Sequence, residues 1–437
     1  MGYSLNFRSK KPKHSVKKQV LVLFLIGIFF ISIIFYYYFI KYAPIFNSDL
    51  PQININCEEE PNYNDFIDCK FQMKTKNNDE NIDPINAQIK IRGTGTGWNE
   101  FEPKKGYRIK LNDPTSLLDM REDRDWLLFG LYSDFPRMRI KLSMDLWRTL
   151  LPSDPTAILP KSRFILLFIN SEFQGLYLLS EKIDRQLFGL ADSQNNVDSS
   201  LIFQIKGTSY FKVYDRNIWE QDWPNEYDNI YIMDRILTDL ILFVSNSSDE
   251  CFFNSETGIY SEIEKINLID FYVYNFFILH KDFWFSNYYI VRNSAPSKFF
   301  LVPWDFDYSL GQFAWNTYKP TSDPTNEIKD YNELFKRLSN NDDFMNDCKI
   351  RWFELRKEIW SEEAILDLLQ EFYEEIQDVL EIEVEMWNPR DYQEKWNNDI
   401  DVSVKHLFSW ISDRLDFCDF YFSNFSTNPL NDPTYSV

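Results

Sequence analysis

This 437-residue sequence predicts an α+β body, strand-rich in its first part and helix-rich in its second, preceded by one transmembrane helix. Three observations carry that prediction. Residues 20–40 are uncharged and almost wholly apolar, short runs of alternating apolar and polar residues begin near residue 87, and charged segments with helical spacing fill most of the last hundred residues. Aromatic residues make up 18% of the chain, 39 of them Phe and 25 Tyr, which excludes a disordered protein. With only 12 Gly and no Ser- or Pro-rich tract, long flexible linkers are not expected.

The N-terminal span comes first. At about 1.5 Å per residue, VLVLFLIGIFFISIIFYYYFI is long enough to cross a hydrocarbon core of roughly 30 Å. A cleaved signal has a shorter apolar region, about 7–15 residues, followed by small residues. Here Tyr36, Tyr37 and Tyr38 stand in that place and read as an interfacial aromatic belt. Arg8, Lys10, Lys11, Lys13, Lys17 and Lys18 precede the span, and residues 1–43 contain no acid, so the positive-inside rule keeps this end in the cytosol. The expected organisation is a cytoplasmic basic tail (1–18), an anchor (19–41), a juxtamembrane stem (42–84), the main domain (85–425) and a C-terminal tail (426–437). The chain is then a single-pass type II membrane protein with its body lumenal or extracellular; a cleaved signal would give the same compartment.

Beyond residue 43 the chain carries 39 basic against 67 acidic side chains. That balance excludes a nucleic-acid partner; it reads first as a solvated acidic surface, and the sharper alternative is attraction for a basic partner or substrate. Five cysteines (Cys57, Cys69, Cys251, Cys348, Cys418) allow two disulfides and one leftover thiol in an oxidising compartment. Cys57 and Cys69 are the nearest local pair, and connectivity stays open. No zinc spacing is present, and three His exclude a His-rich metal site. Asn246-Ser-Ser and Asn424-Phe-Ser are glycosylation sequons in that compartment.

Along the body, residues 87–92 (AQIKIR) and 107–111 (YRIKL) alternate as strands, and residues 139–150 have helical spacing. Residues 163–169 and 175–179 are apolar runs joined by Asn170-Ser-Glu-Phe-Gln, a hairpin signal. Residues 201–205 form another short strand. Residues 266–280 read as a helix, residues 288–291 and 299–302 as strands, and residues 343–386 as charged helices.

Three constellations carry chemistry. Between the first two strands lies Arg92-Gly93-Thr-Gly95-Thr-Gly97, followed by Lys104 and Lys105. Glycines there let backbone N–H groups approach phosphate oxygens, and a lysine neutralises charge. With no helix directly after it, the loop fits neither a Walker A nor a Rossmann pattern, and alone it reads first as an ordinary hairpin turn. The second is His280-Lys-Asp282-Phe-Trp-Phe-Ser-Asn287, whose spacing matches the protein-kinase catalytic loop: an Asp to orient a hydroxyl and an Asn to hold a metal. The third is Pro303-Trp-Asp305-Phe-Asp307 after an apolar strand, placing two carboxylates where a hard divalent cation would bind. A calcium site or a capped turn is the competing reading of this motif.

Five segments in one order resemble the spore-coat protein H (CotH) kinase family: IKIRGTGTGWNEFEPKKGYRIKL, DRDWLLFGLYSDFPRMRIKLSMDL, FILLFINSEFQGLYLLSEKID, HKDFWFSNYYIVRN and FLVPWDFDYSLG. The resemblance spans roughly residues 87–311. It implies a divergent, two-lobed protein-kinase-like fold, ATP with Mg²⁺ or Mn²⁺, and phosphate transfer to a protein substrate. Asp282 then takes the catalytic role, and Asn287, Asp305 and Asp307 hold the metal. Arg92, Gly93, Gly95 and Gly97 cover the nucleotide. Either Lys104 or Lys105 contacts its phosphates; strand parity does not choose between them. Arg139 supports the site, and Glu181 lies near the nucleotide unless it is only a surface carboxylate at a strand end. The family often carries Ser or Asn where Thr94, Gly95 and Thr96 stand. The leading expectation is an atypical secretory-pathway Ser/Thr kinase acting on a protein, for which the acidic body suggests a basic, Ser-containing substrate. The alternatives are a non-catalytic cell-surface binding or adhesion protein on the same fold and another nucleotide-dependent transferase.

Overall fold

The computed structural model describes residues 48–92, 103–191, 200–224, 226–280, 284, 286–313, 316–387 and 400–424, and before them 21, 23–30, 32, 43, 45 and 47. Gly93, Gly95, Gly97 and Asp282 therefore lie outside the described residues, as does most of the expected anchor. Met1–Ser48 and Asp49–Val437 form separate compact units. In the first, residues 23–30 are helical and expose Leu23, Phe24, Phe29 and Phe30. Among the described residues, no helix is long and apolar enough to cross a membrane.

The second unit starts with seven strands: β1 (Gln52–Cys57), β2 (Ile67–Lys74), β3 (Ile82–Ile91), β4 (Tyr107–Thr115), β5 (Asp123–Phe129), β6 (Ser162–Ile169) and β7 (Glu172–Glu181). They close into a barrel in the order β1-β2-β3-β4-β5-β7-β6. Every pairing is antiparallel except β1 with β6, the parallel contact that closes it. Closure leaves no exposed strand edge in this sheet. The expected stem (42–84) is corrected here, because it contains β1, β2 and the start of β3. Ile67, Cys69, Phe71 and Met73 alternate inward while Asp68, Lys70 and Lys74 face out, the signature of a half-buried strand. The expected hairpin is β6–β7. Asn170 and Ser171 sit at its tip with φ of 50° and 68°, the left-handed pair that a tight two-residue turn requires.

A second sheet orders β11 (Phe299–Pro303), β10 (Tyr288–Arg292), β8 (Leu201–Ile205) and β9 (Trp219–Trp223), all antiparallel. Helix α1 (Arg139–Arg148) connects β5 to β6 within the barrel's run of strands; α2 (Glu226–Asn246) and α3 (Lys265–Ile278) follow β9. Helix α3 is buried from Asn267 to Ile278, with its buried Asn267 bonded to the Leu301 backbone and Asp270 to Arg351. The chain ends in helices α4 (Thr325–Tyr331), α5 (Glu333–Ser339), α6 (Asp342–Lys357), α7 (Glu362–Trp387) and α8 (Ile400–Asn424). The fold is α+β, strand-rich first and helix-rich last, with β10 and β11 returning strand structure to the middle of the helical part.

Candidate active site

Helix α3 ends at Leu279, whose φ of 49° turns the chain sharply and delivers His280 beneath the end of β11. The His280 Nε2–H donates to the backbone carbonyl of Asp305 at 2.6 Å. Burial pushes this imidazole down to about 3, so it is neutral and serves as a fixed donor. A second tie joins the same two segments, because the Trp304 amide donates to the Asn287 carbonyl at 2.9 Å. Asn287 and Asp305 both sit in the left-handed region, with φ of 61° and 64°. Asp and Asn tolerate that region better than most residues, and non-glycine outliers of this kind concentrate at functional sites.

After Asp305 comes a single 3₁₀ turn, Phe306–Tyr308, that carries Asp307. The turn is braced from below by α1. Arg139 Nε donates to the Leu310 carbonyl at 3.1 Å, Ser143 and Ser309 hydroxyls meet at 2.9 Å, and the Leu310 amide donates to the Ile278 carbonyl at 2.7 Å. Asp134 holds Arg139 at 3.6 Å and accepts from the Ile140 amide at 3.2 Å, while the Ser133 hydroxyl reaches Asp307 at 3.4 Å. Arg139 thus supports the loop rather than facing a ligand: it is buried beneath it.

Arg92 approaches from the end of β3. Its guanidinium stacks 4.1 Å from the Phe129 ring centre, and Phe129 in turn packs edge-on against Trp304 at 5.9 Å. Burial lowers Arg92 from its ordinary value, and the charges of Asp305, Asp307 and Tyr289 oppose that. Solvent reaches the Asp305 carboxylate, yet protein crowds it closely enough to push its pKa upward, with Arg92 and a hydrogen bond from Asp307 pulling back. Two adjoining carboxyls resist ionising together, and a hard divalent cation relieves that repulsion. The donor chemistry of Asp305 and Asp307 therefore fits a Mg²⁺ or Mn²⁺ ion. Among the described residues no group of three or more acidic, His or Cys side chains is assembled as a metal site.

Both lysine expectations change. Lys104 is only 1% exposed, and its ammonium pairs with Glu383 of α7 and donates to the Leu176 carbonyl at 2.6 Å. Glu383 also accepts from Arg137 Nε at 2.9 Å and from the Leu176 amide at 2.8 Å. Burial acts to raise Glu383, but Lys104, Arg137 and the amide lower it further than that. Burial brings Lys104 down to about 7, against the pull of Glu383 and with the push of Arg137. Lys105 points elsewhere, its ammonium 5.5 Å from the Tyr63 ring centre. Lys104 is committed inside the protein, and the Lys105 ammonium lies over the Tyr63 ring.

Glu181 is corrected too. It is buried, and its two oxygens accept from the Arg121 and Lys161 amides, each at 2.8 Å. A carboxylate saturated by two backbone donors is a clamp on the barrel, not a nucleotide contact and not a surface acid. The sequence reading passed over Glu383 and Arg137. Glu383 stands among Glu381 and Glu385 on an acidic helix, and only the buried neighbours Ile382 and Val384 mark its turn as core-facing. His280 was visible as the first residue of its motif, but its bond to Asp305 was not.

The model of the "CotH kinase protein" family matches residues 89–418. The chain belongs to the CotH kinase protein family. That match covers the barrel from β3 onward, the second sheet and the helices through most of α8. The "Inner spore coat protein H" of Bacillus subtilis (strain 168) is 23% identical over 271 residues, spanning 58% of this chain and 69% of that protein. Among solved structures, the Golgi casein kinase is 10% identical, covering 85% of this chain and 74% of that one, with a TM-score of 0.28. The same kinase with Mn/ADP bound scores 0.25. At those TM-scores the likeness carries no argument, and the family match alone carries the assignment.

Proposed function

We propose that this CotH-family chain is an atypical protein kinase that transfers the γ-phosphate of ATP to Ser or Thr of a protein substrate. One observation carries the reading. His280, two residues before Asp282 in the sequence, bonds the Asp305 backbone, which ties the end of α3 to the segment bearing Asp305 and Asp307. Asp305 and Asp307, with Asn287, would hold the divalent ion, and Asp282 would orient the acceptor hydroxyl. ATP supplies the phosphoryl group and the ion neutralises its charge. Arg92, whose charge interacts with both carboxylates, adds a fixed positive charge there and limits their mutual repulsion. The acidic body suits a basic, Ser-containing substrate. The apolar residues 20–40 and the basic residues ahead of them support a membrane-anchored protein with its kinase domain lumenal or extracellular. Glycosylation at Asn246 tests that placement in a secreting cell, and its absence there would count against it.

The deciding experiment incubates the full chain in detergent with γ-labelled ATP and Mg²⁺ or Mn²⁺, beside Asp282→Ala and Asp305→Ala. Label on the chain itself or on a basic Ser-rich peptide, lost in both variants, is the expected result. A folded protein that neither binds nucleotide nor transfers label would overturn the reading in favour of a binding or adhesion protein. Transfer of the nucleotidyl part, followed with α-labelled ATP, would make it a different transferase.

A further inference from the structure

Cys57 and Cys69 are directly opposed on β1 and β2. Their position in the ladder follows from the other neighbour of β1. The Pro51 and Ile55 carbonyls accept from the Leu166 and Asn170 amides of the β6 side, at 2.9 and 2.8 Å. The Cys57 amide also turns that way, donating to Asn170 Oδ1 at 2.9 Å. Backbone groups of successive residues in a strand point to opposite sides, so the odd-numbered residues of β1 face β6 and the even-numbered ones face β2. Cys57 and Cys69 therefore form a non-hydrogen-bonded pair, the closer kind, with Cα atoms about 4.5 Å apart. A disulfide accepts Cα separations of roughly 4.4–6.8 Å.

Both side chains also share a face. Ile53 and Ile55 point into the barrel with Cys57, and Ile67, Phe71 and Met73 do so with Cys69. Burial pushes the Cys69 thiol up to about 12, and the nearby Cys57 adds to that rise. No other cysteine contributes to the shifts of Cys348 or Cys418, each fully buried on its own helix.

We propose that Cys57 and Cys69 are a redox site that closes to a cross-strand disulfide stapling β1 to β2 inside the barrel mouth. The oxidant is a small disulfide such as oxidised glutathione. The half-buried Cys57, as thiolate, attacks it and forms a mixed disulfide, releasing one glutathione thiol. The Cys69 thiolate then attacks the Cys57 sulfur and releases the second. Two protein thiols are oxidised, one disulfide is reduced, and two protons pass to the two glutathione thiolates. The inference does not rest on the proposed kinase activity.

The test places the full chain in glutathione buffers from fully reduced to oxidised, alkylates with N-ethylmaleimide, and maps peptides without reduction. In oxidised buffer the expected product is one peptide pair joined through Cys57 and Cys69, two hydrogens lighter than the free thiols. Closure of this short loop should also raise Tm by a few degrees, and Cys57→Ser should remove that redox dependence. Full alkylation of both cysteines in oxidised buffer, glutathione adducts without closure, or a different pairing would each overturn the proposal.

Discussion

Lys104, Arg137 and Glu383 form a charge cluster closed on all sides, whereas Arg92, Asp305 and Asp307 form one that solvent reaches. In the closed cluster one acid answers two cations, and both its oxygens are used. In the open one two acids face one cation, and the carboxyl of Asp305 is driven upward by its surroundings. The first cluster fastens α7 to the barrel. The second keeps an excess of negative charge where solvent can deliver a cation. Buried charge by itself thus marks no site; the balance and saturation of its partners separate a fastening from a receptor.

The comparison can be broken most sharply at Glu383. Glu383→Ala leaves Lys104 and Arg137 buried without their shared acid, and should cost about 3–5 kcal/mol in urea unfolding. Asp305→Asn should change stability by less than about 1 kcal/mol while abolishing phosphate transfer; equal stability losses for the two would erase the distinction drawn here. Next in size is Gly175, with φ of +110°, where a Cβ would collide with the Glu383 carboxylate and the Trp387 indole. Gly175→Ala should destabilise by about 2–3 kcal/mol, and combined with Glu383→Ala its cost should shrink in a double-mutant cycle.

His280 links the open cluster to pH. Its pKa is about 3 when folded, against an ordinary value of 6.5. The unfolded chain therefore binds the extra proton between those values, so this stability is complete above pH 6.5 and is lost as pH falls toward 3. The slope is at most about 1.4 kcal/mol per pH unit. His280→Asn should flatten the pH dependence of the unfolding midpoint by about one proton across that window. The smallest effect belongs to Ser133→Ala, whose contact with Asp307 is long at 3.4 Å. It should cost under about 1 kcal/mol.

Much of this was legible in the sequence because it is local. The alternation in AQIKIR and YRIKL, the Asn170-Ser171 turn and the apolar run before Asp305 each report a structure made within a few residues. β1 and β2 alternate as well, but the acidic run Glu58-Glu-Glu and the polar stretch after it hid them behind the look of a stem. Glu383 was illegible for a different reason. It meets Lys104 across 279 residues, and nothing in either neighbourhood names the other. The same distance explains Lys104: a lysine beside a glycine-rich loop reads as a phosphate ligand until its distant acid is seen.

The parallel closure of the barrel has a consequence for synthesis. Gln52 pairs with Leu166, so the first strand to leave the ribosome waits for a partner made roughly 110 residues later. At about 5–20 residues per second that interval is roughly 5–20 s. Throughout it β1 presents a bare edge with Ile53 and Ile55 beside it, so the nascent chain is exposed to wrong strand pairing, and to chaperones, before its barrel can close.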